Sequence, residues 1–326
     1  MRPFTYVRPT DEASALSFAV QPGARFVAGG TNLVDNMRLD VERPRVLVDI
    51  GSLPLTGIED RADGLTVGAL VRNSDLAEHP LVTSRFPALA QALLAGASPQ
   101  LRNAATVGGN LLQRTRCPYF RDPASACNKR VPGSGCAAMD GFNRSHAVLG
   151  TSSSCIAAHP SDMDVALVAL DATVHIRGPQ GARAIPAADL HVVPGDRPDV
   201  ETVMRAGELI THVVLPDTPF AAHSTYLKVR DRASFAFALA SAAVALDVQG
   251  GVIRSARIAL GGVGTKPWRS HEAEGALVGK APSRALFATA ARAALQDARP
   301  RKYNAFKVEL AQRTIVRALS TVGGVT

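Results

Sequence analysis

Cys117, Cys127, Cys136 and Cys155 are the only thiols in the chain, and all of them fall within residues 116–162. Soft donors gathered so closely admit three explanations: a shared metal group, disulfides, or a set of inert structural thiols. Their gaps of nine, eight and eighteen residues contain no close Cys-x-x-Cys pair of the kind a zinc site uses. Two disulfides would need an oxidising compartment, whereas four thiolates around an iron-sulfur cluster need no compact spacing when a loop wraps the metal. Pro118, Pro132, Gly133, Gly135 and Gly141 interrupt the segment, so it reads as a loop that something must order.

Two paired-glycine turns supply a second kind of chemistry. The first is Ala28-Gly29-Gly30-Thr31-Asn32-Leu33, and the second is Ala105-Thr106-Val107-Gly108-Gly109-Asn110-Leu111. Paired glycines allow backbone angles closed to other residues and leave no side chain to keep a phosphate away. A strand, such a turn and a helix start together make a nest of backbone amides aimed at one point. Neither turn is the Rossmann G-x-G-x-x-G or the Walker loop, and each alone reads equally as a plain tight turn. Together they are expected to grip the two phosphates of a dinucleotide from opposite sides.

A third group, His159-Pro160-Ser161-Asp162, leads into an apolar helix over 163–170, where Ser161 and Asp162 read first as helix caps. The eight histidines form no metal or triad constellation, and His146 and His159 read as solvated loop residues. No serine or cysteine pairs visibly with a histidine and a carboxylate, so a hydrolase has little support and no residue is nominated as catalytic.

The elements that must position these groups follow from periodicity. Strands are expected at 4–8, 25–27 and 46–50, a helix at 10–20, and a helix start at 34–39. Two strands joined by the Ala62-Asp63-Gly64 turn fill 53–70, and 74–95 is helical in pattern but split by Pro80 and Pro87. Two or three strands span 172–193 around Gly178-Pro179-Gln180-Gly181, and 208–216 is a further strand. Beyond residue 221 the pattern becomes strands at 235–248 and 252–260 followed by alanine-rich helices at 268–278, 283–296 and 304–319. In the last helix, Phe306, Leu310 and Ile315 are expected to form a buried stripe.

A length of 326 residues exceeds one ordinary core and predicts more than one domain. The net charge of +8 invites a nucleic-acid reading, but the arginines are dispersed singly and no basic run is interleaved with aromatics, so none is expected. The most apolar segment, 235–248, is too short to span a bilayer. The N-terminus lacks the apolar core of a signal peptide and has no twin-arginine pair, which predicts a cytoplasmic chain.

The AGGTNL and ATVGGNL turns, with HPSDMDVALVAL, GELITHVVLP and YLKVRDRASFAFALASAAVAL downstream, resemble the FAD-binding subunits of the molybdenum hydroxylases, the xanthine dehydrogenase and aldehyde oxidoreductase family. The resemblance covers nearly the whole chain. It implies an α+β architecture: a two-part α/β FAD-binding domain of the vanillyl-alcohol-oxidase type over 1–218, then a C-terminal antiparallel-sheet-and-helices domain over 221–326 of the CO dehydrogenase flavoprotein type. The insertion at about 115–157 resembles the one that carries a 4Fe-4S cluster in the flavin subunits of periplasmic-type aldehyde oxidoreductases and hydroxybenzoyl-CoA reductases. By that resemblance the four cysteines are cluster ligands.

The same resemblance assigns FAD contacts to Phe26, Val27, Ala28, Gly29, Gly30, Thr31, Asn32 and Leu33, to Thr106, Gly108, Gly109 and Asn110, and to Ser161, Asp162, Ile210 and Lys228. Without it, Lys228 is an exposed strand lysine. It further implies a large molybdenum-cofactor subunit that oxidises an aldehyde, a small 2Fe-2S subunit, an external electron acceptor, and a periplasmic location if a signal-bearing partner co-exports the complex. Rival readings are a xanthine dehydrogenase or hydroxybenzoyl-CoA reductase type subunit, a self-contained flavin oxidoreductase, and a non-catalytic protein stapled by disulfides.

Overall fold

The computed structural model describes residues 1–325. Its first layer comprises β1 (Thr5–Val7), α1 (Glu12–Ala19), β2 (Ala24–Val27), α2 (Leu33–Arg38) and β3 (Val46–Asp49). The three strands form a parallel sheet in the order β1-β3-β2, with Val46 in register with both Thr5 and Ala24. Asp11 begins α1 by accepting the Ser14 amide at 2.8 Å, which satisfies one of the unpaired N–H groups of the first turn.

A second layer follows. It contains β4 (Ile58–Arg61), β5 (Gly64–Gly68), α3 (Asn73–Glu78), α4 (Pro80–Arg85), α5 (Pro87–Ala95), α6 (Pro99–Arg102), α7 (Val107–Leu111), α8 (Pro118–Arg121) and α9 (Asp162–Ala169). It is completed by β6 (Thr173–Gly178), β7 (Gly181–Pro186), α10 (Ala187–Leu190) and β8 (Leu209–Leu215). The strands make an antiparallel sheet in the order β4-β5-β8-β6-β7. Proline opens α4, α5, α6 and α8, where its missing N–H costs nothing.

The chain ends in β9 (Ser224–Val229), β10 (Ala240–Gln249), β11 (Val252–Gly261), β12 (Trp268–Arg269), α11 (His271–Leu277), α12 (Arg284–Ala294) and α13 (Phe306–Gly323). These strands are antiparallel in the order β12-β11-β10-β9. Helix α9 is buried on every side, Asp162 included, because it packs against α5 and α7 on one flank and β10 and β11 on the other. A helix that is apolar all round belongs in a core. Strand β10 is buried on both faces for a related reason: Ala243 joins the core that includes α9, while Ala242, Val244 and Leu246 meet α12 and α13.

Several expectations need correction. Residues 235–239 are not strand: Phe235 takes a left-handed φ of 51°, and Phe235 and Phe237 are exposed. The apolar run there continues an irregular loop into β10, and periodicity does not separate the two. Residues 268–269 form β12 rather than the start of α11. In α13 the buried stripe is Lys307, Ala311, Thr314, Ile315, Ala318 and Leu319, while Phe306 is exposed under the Arg144 guanidinium, 4.9 Å from its ring centre. The split of 74–95 into α3, α4 and α5 follows its prolines. Thr326, within the expected C-terminal domain, lies outside the described residues. Among the described residues no helix is long and apolar enough to cross a membrane.

Candidate functional site

The two glycine turns lie against each other. A Cβ on Gly29 would come 1.8 Å from the Ala104 carbonyl oxygen, so only glycine lets the first turn rest on the backbone that leads from α6 into the second. Gly30 has a left-handed φ of 68°, which turns the chain from β2 into α2. The backbone amides of Gly29, Gly30, Thr31 and Asn32 make no hydrogen bond within the described chain. Four unsatisfied N–H groups in sequence are a receptor for an anionic oxygen. Asn32 stands behind them: its Oδ1 accepts the Arg114 amide at 2.8 Å, and its buried Nδ2 has no partner.

The second turn works differently from the first. Thr106 caps α7 by accepting the Gly109 amide at 3.2 Å, and the Gly108 amide donates to Ala69 O at 2.8 Å. Its amides are therefore engaged, so this turn is not an amide nest like the first. What this turn contributes is a surface without side chains, and Asn110, whose Oδ1 accepts from the Ser161 hydroxyl at 2.8 Å. Ser161 also caps α9 by accepting the Asp164 amide at 3.1 Å.

Asp162 is not a cap. Its Oδ2 accepts from Lys228 Nζ at 2.7 Å, and its Oδ1 accepts from the Tyr226 hydroxyl. The Lys228 side chain is 4% exposed, not the exposed strand lysine that sequence alone allows, and its ammonium also donates to Ala95 O at 3.0 Å. Burial, and then the Asp162 charge, push the Tyr226 phenol well above its ordinary value, so it remains a donor.

Two adjoining cavities collect these groups. Phe26 to Leu33, Thr106, Gly108, Gly109 and Ile210 line one of about 140 Å³. Thr31, Asn32, Gly109, Asn110, Asp162 and Lys228 line the other, of about 490 Å³, which is the size of a cofactor pocket. Ser161 stands just behind, lining a third cavity of about 230 Å³ that also contains Asp162. The structure thus brings every nominated flavin residue to one connected region. Sequence reasoning missed Arg102, Arg116, Phe235 and Phe237 at the mouth of the larger cavity. Arg116 has no carboxylate in ion-pair range among the described residues, and burial, with the Arg121 charge adding, pulls it down to about 10. A half-buried guanidinium without a carboxylate is suited to an anionic ligand, and only its place beside Cys117 hints at this in the sequence.

The four cysteines line one small cavity, with Tyr119, Phe120, Lys129 and Ala157 among the other walls. None is in a disulfide. Cys127 and Cys136 face each other across an isolated antiparallel bridge, Cys117 precedes α8, and Cys155 comes from the far end of the loop. Burial pushes the Cys117 thiol up to about 12, with Cys127 and Cys155 adding to it, and burial also raises Cys136 and Cys155. Thiols held together yet reluctant to ionise are a set whose ionisation a bound cation would drive. The loop carries its own anchors: Arg114 pairs with Glu201 at 2.6 Å, Lys129 with Glu201 at 2.9 Å, and Arg121 with Asp35 at 2.7 Å.

His159 and His146 are not solvated. His159 and His191 both donate through Nε2 to Asp164 Oδ2, at 2.8 and 3.1 Å, tying the segment after Cys155 to α9. The Asp164 carboxyl is held below its ordinary value by these imidazoles against the opposing effect of its burial. Among the described residues, this trio has its donor atoms within 4.8 Å of one another, and no three cysteines do. The sulfurs are therefore spaced wider than one tetrahedral ion, at a Zn–S distance of about 2.3 Å, would draw them. The 230 Å³ cavity joins Cys117 and His146 to Ser161 and Asp162, so the Cys117 corner faces the flavin-side residues.

Comparison with known proteins agrees with this geometry. Residues 2–218 match the FAD binding domain in molybdopterin dehydrogenase, and residues 224–322 match the CO dehydrogenase flavoprotein C-terminal domain. The chain is 51% identical over 323 residues, 98% of each chain, to the aldehyde oxidoreductase FAD-binding subunit PaoB of Escherichia coli. Among solved structures it resembles a chain of quinoline 2-oxidoreductase from Pseudomonas putida 86, at a TM-score of 0.76 and 26% identity over 99% of this chain and 98% of that one. A chain of carbon monoxide dehydrogenase from Hydrogenophaga pseudoflava aligns at a TM-score of 0.77 and 26% identity, covering 99% of both.

Proposed function

The chain belongs to the FAD-binding subunits of the molybdenum hydroxylases, and on that premise we propose that it is the FAD and 4Fe-4S electron-transfer subunit of an aldehyde oxidoreductase. In this reading the aldehyde is oxidised at a molybdenum cofactor in a large partner subunit, electrons arrive through a small 2Fe-2S subunit, and they leave from FAD to an external acceptor. The single observation that carries the reading is the convergence of the free amides of residues 29–32 and the Asp162–Lys228 pair on adjoining cavities. The four-cysteine cavity supports a second cofactor, and the 51% identity to an aldehyde oxidoreductase FAD-binding subunit supports the aldehyde class.

Bound FAD accepts electrons singly and releases two together, and a 4Fe-4S cluster exchanges one electron at a time. The protein's part is placement. The amides of Gly29, Gly30, Thr31 and Asn32 would hold the pyrophosphate, with the orphan Asn32 Nδ2 as a further donor. Gly108 and Gly109 let the cofactor lie against backbone, and Asn110 is aimed by Ser161. Lys228, locked to Asp162 and Ala95 O, presents a fixed positive charge beside the larger cavity, where it favours added electron density. Cys117, Cys127, Cys136 and Cys155 would hold the cluster, and the Glu201 and Asp35 ion pairs anchor the loop that carries them.

The test is anaerobic rapid mixing of an aromatic or aliphatic aldehyde with the isolated chain and with the chain assembled with its molybdenum and 2Fe-2S subunits. The reading predicts bleaching of flavin absorbance in the assembly alone. Bleaching of the isolated chain would instead favour a self-contained flavin oxidoreductase.

A further inference from the structure

One buried polar cluster is not used by the scheme above. His146 is 2% exposed, and its Nε2 lies 3.1 Å from Cys117 Sγ. Its Nδ1 is buried and has no partner. The backbone that carries this ring is held by an unusual set of contacts. Lys307, fully buried at the start of α13, donates to Ser145 O at 3.0 Å, His146 O at 3.0 Å and Gly262 O at 2.6 Å. Asn304, also fully buried, donates to His146 O at 3.3 Å and Ala147 O at 3.1 Å. Asn143 braces the same turn, donating to Ala138 O and Met139 O, each at 3.2 Å, and accepting the Tyr303 amide at 3.1 Å. Thus the C-terminal sheet-and-helix unit, distant in sequence, fixes where one imidazole points.

We propose that His146 donates a hydrogen bond from Nε2–H to the Cys117 ligand and thereby raises the reduction potential of the cluster, with Asn304 and Lys307 holding the ring against the sulfur. The proposal rests on the four-cysteine cluster reading. A ligating thiolate can only accept, so the contact fixes the proton on Nε2 and leaves the Nδ1 lone pair as the unpartnered atom. A single N–H aimed at sulfur withdraws electron density from it and stabilises the more negative, reduced cluster. Because Cys117 is the ligand facing the Asp162 side, His146 acts on the corner nearest the flavin residues. It acts through Cys117 and touches no substrate, so it is a positioning and tuning residue.

The experiment is a redox titration followed by electron paramagnetic resonance on the assembled holoenzyme, with iron, sulfide and FAD analysis of each preparation. His146→Phe is expected to keep its iron and shift the four-iron midpoint to a more negative value, while His146→Gln, which retains an N–H donor, stays closer to wild type. The flavin midpoint is expected to be unchanged. A His146→Phe protein with full iron and a wild-type midpoint overturns the proposal. Should that variant lose iron, wild-type enzyme grown on ¹⁵N-histidine decides by pulsed resonance of the reduced cluster: a coupled histidine nitrogen supports the proposal, and its absence overturns it. Wild-type enzyme with FAD but without the four-iron signal would refute the cluster reading itself, and this proposal with it.

Discussion

Replacing Gly29 with alanine tests whether contact between the two glycine turns builds the flavin site. The added Cβ would lie 1.8 Å from Ala104 O and 2.6 Å from Ala104 C. Ordinary carbon contacts begin near 3.5 Å, so the turns must separate by more than about 1 Å. The obstacle is backbone, not the end of a flexible side chain, which places the cost at the upper end of overpacking, about 3 kcal/mol. If that cost falls on the cofactor-bound geometry, FAD affinity drops roughly 100-fold. Gly108→Ala meets only Ala69, at 3.1 Å from its Cβ and 3.3 Å from its carbonyl oxygen, and should cost about 1 kcal/mol. Gly275→Ala in α11 enters open space and should leave FAD untouched. FAD titration of deflavinated protein by fluorescence quenching, with melting curves alongside, measures all three. A Gly29→Ala protein that binds FAD within about twofold of wild type, a difference below ~0.5 kcal/mol, would refute the reasoning.

Cys136→Ser is expected to lose iron and become protease-sensitive within 117–155 while FAD stays bound, because the cysteine cavity and the glycine turns are separate sites; unchanged iron content would sink the assignment. Asp162→Asn leaves the Lys228 ammonium buried without its carboxylate and should destabilise the protein by about 3 kcal/mol and weaken FAD binding, whereas adding Lys228→Met should recover part of the stability in a double-mutant cycle. Simple additivity of the two changes would contradict a coupled pair. Burial, with the Arg144 charge adding and Asp231 opposing, pulls Lys307 from an ordinary 10.5 down to about 7. Between these values the unfolded chain holds a proton that the folded chain has released, so this lysine makes stability rise with pH across the window, and its penalty is full below it. Denaturant midpoints measured from neutral to alkaline pH should show that slope in wild type and a flatter one in Lys307→Met.

The local features of the site were legible and the long-range ones were not. Paired glycines, the Ser161 cap and the clustered cysteines depend on residue type and spacing, and the strands of the first two layers follow from short apolar runs. Helix α7 was hidden because Gly108, Gly109 and Asn110 are weak helix formers, and the turn becomes helical only through Thr106 and the Ala69 and Val71 carbonyls. His146 and His159 read as solvated because nothing local marks their burial. Their partners are Lys307 and Asn304, more than 150 residues away, for the His146 backbone, and Asp164 and His191 for the His159 ring. For the same reason Lys228 passes for an exposed strand lysine until β9 is placed beside α5 and α9.

The central claim is that one chain carries both cofactors, the cluster wrapped by 117–155 and FAD held by the glycine turns and Asp162. Its most direct test is cofactor stoichiometry of the full chain purified without oxygen: visible spectrum, extracted FAD, iron and acid-labile sulfide on one preparation. The account predicts one FAD, four iron and four sulfide per chain, matching four ligands in one cavity. A flavoprotein with neither iron nor sulfide, and with its cysteines oxidised in pairs, would contradict it.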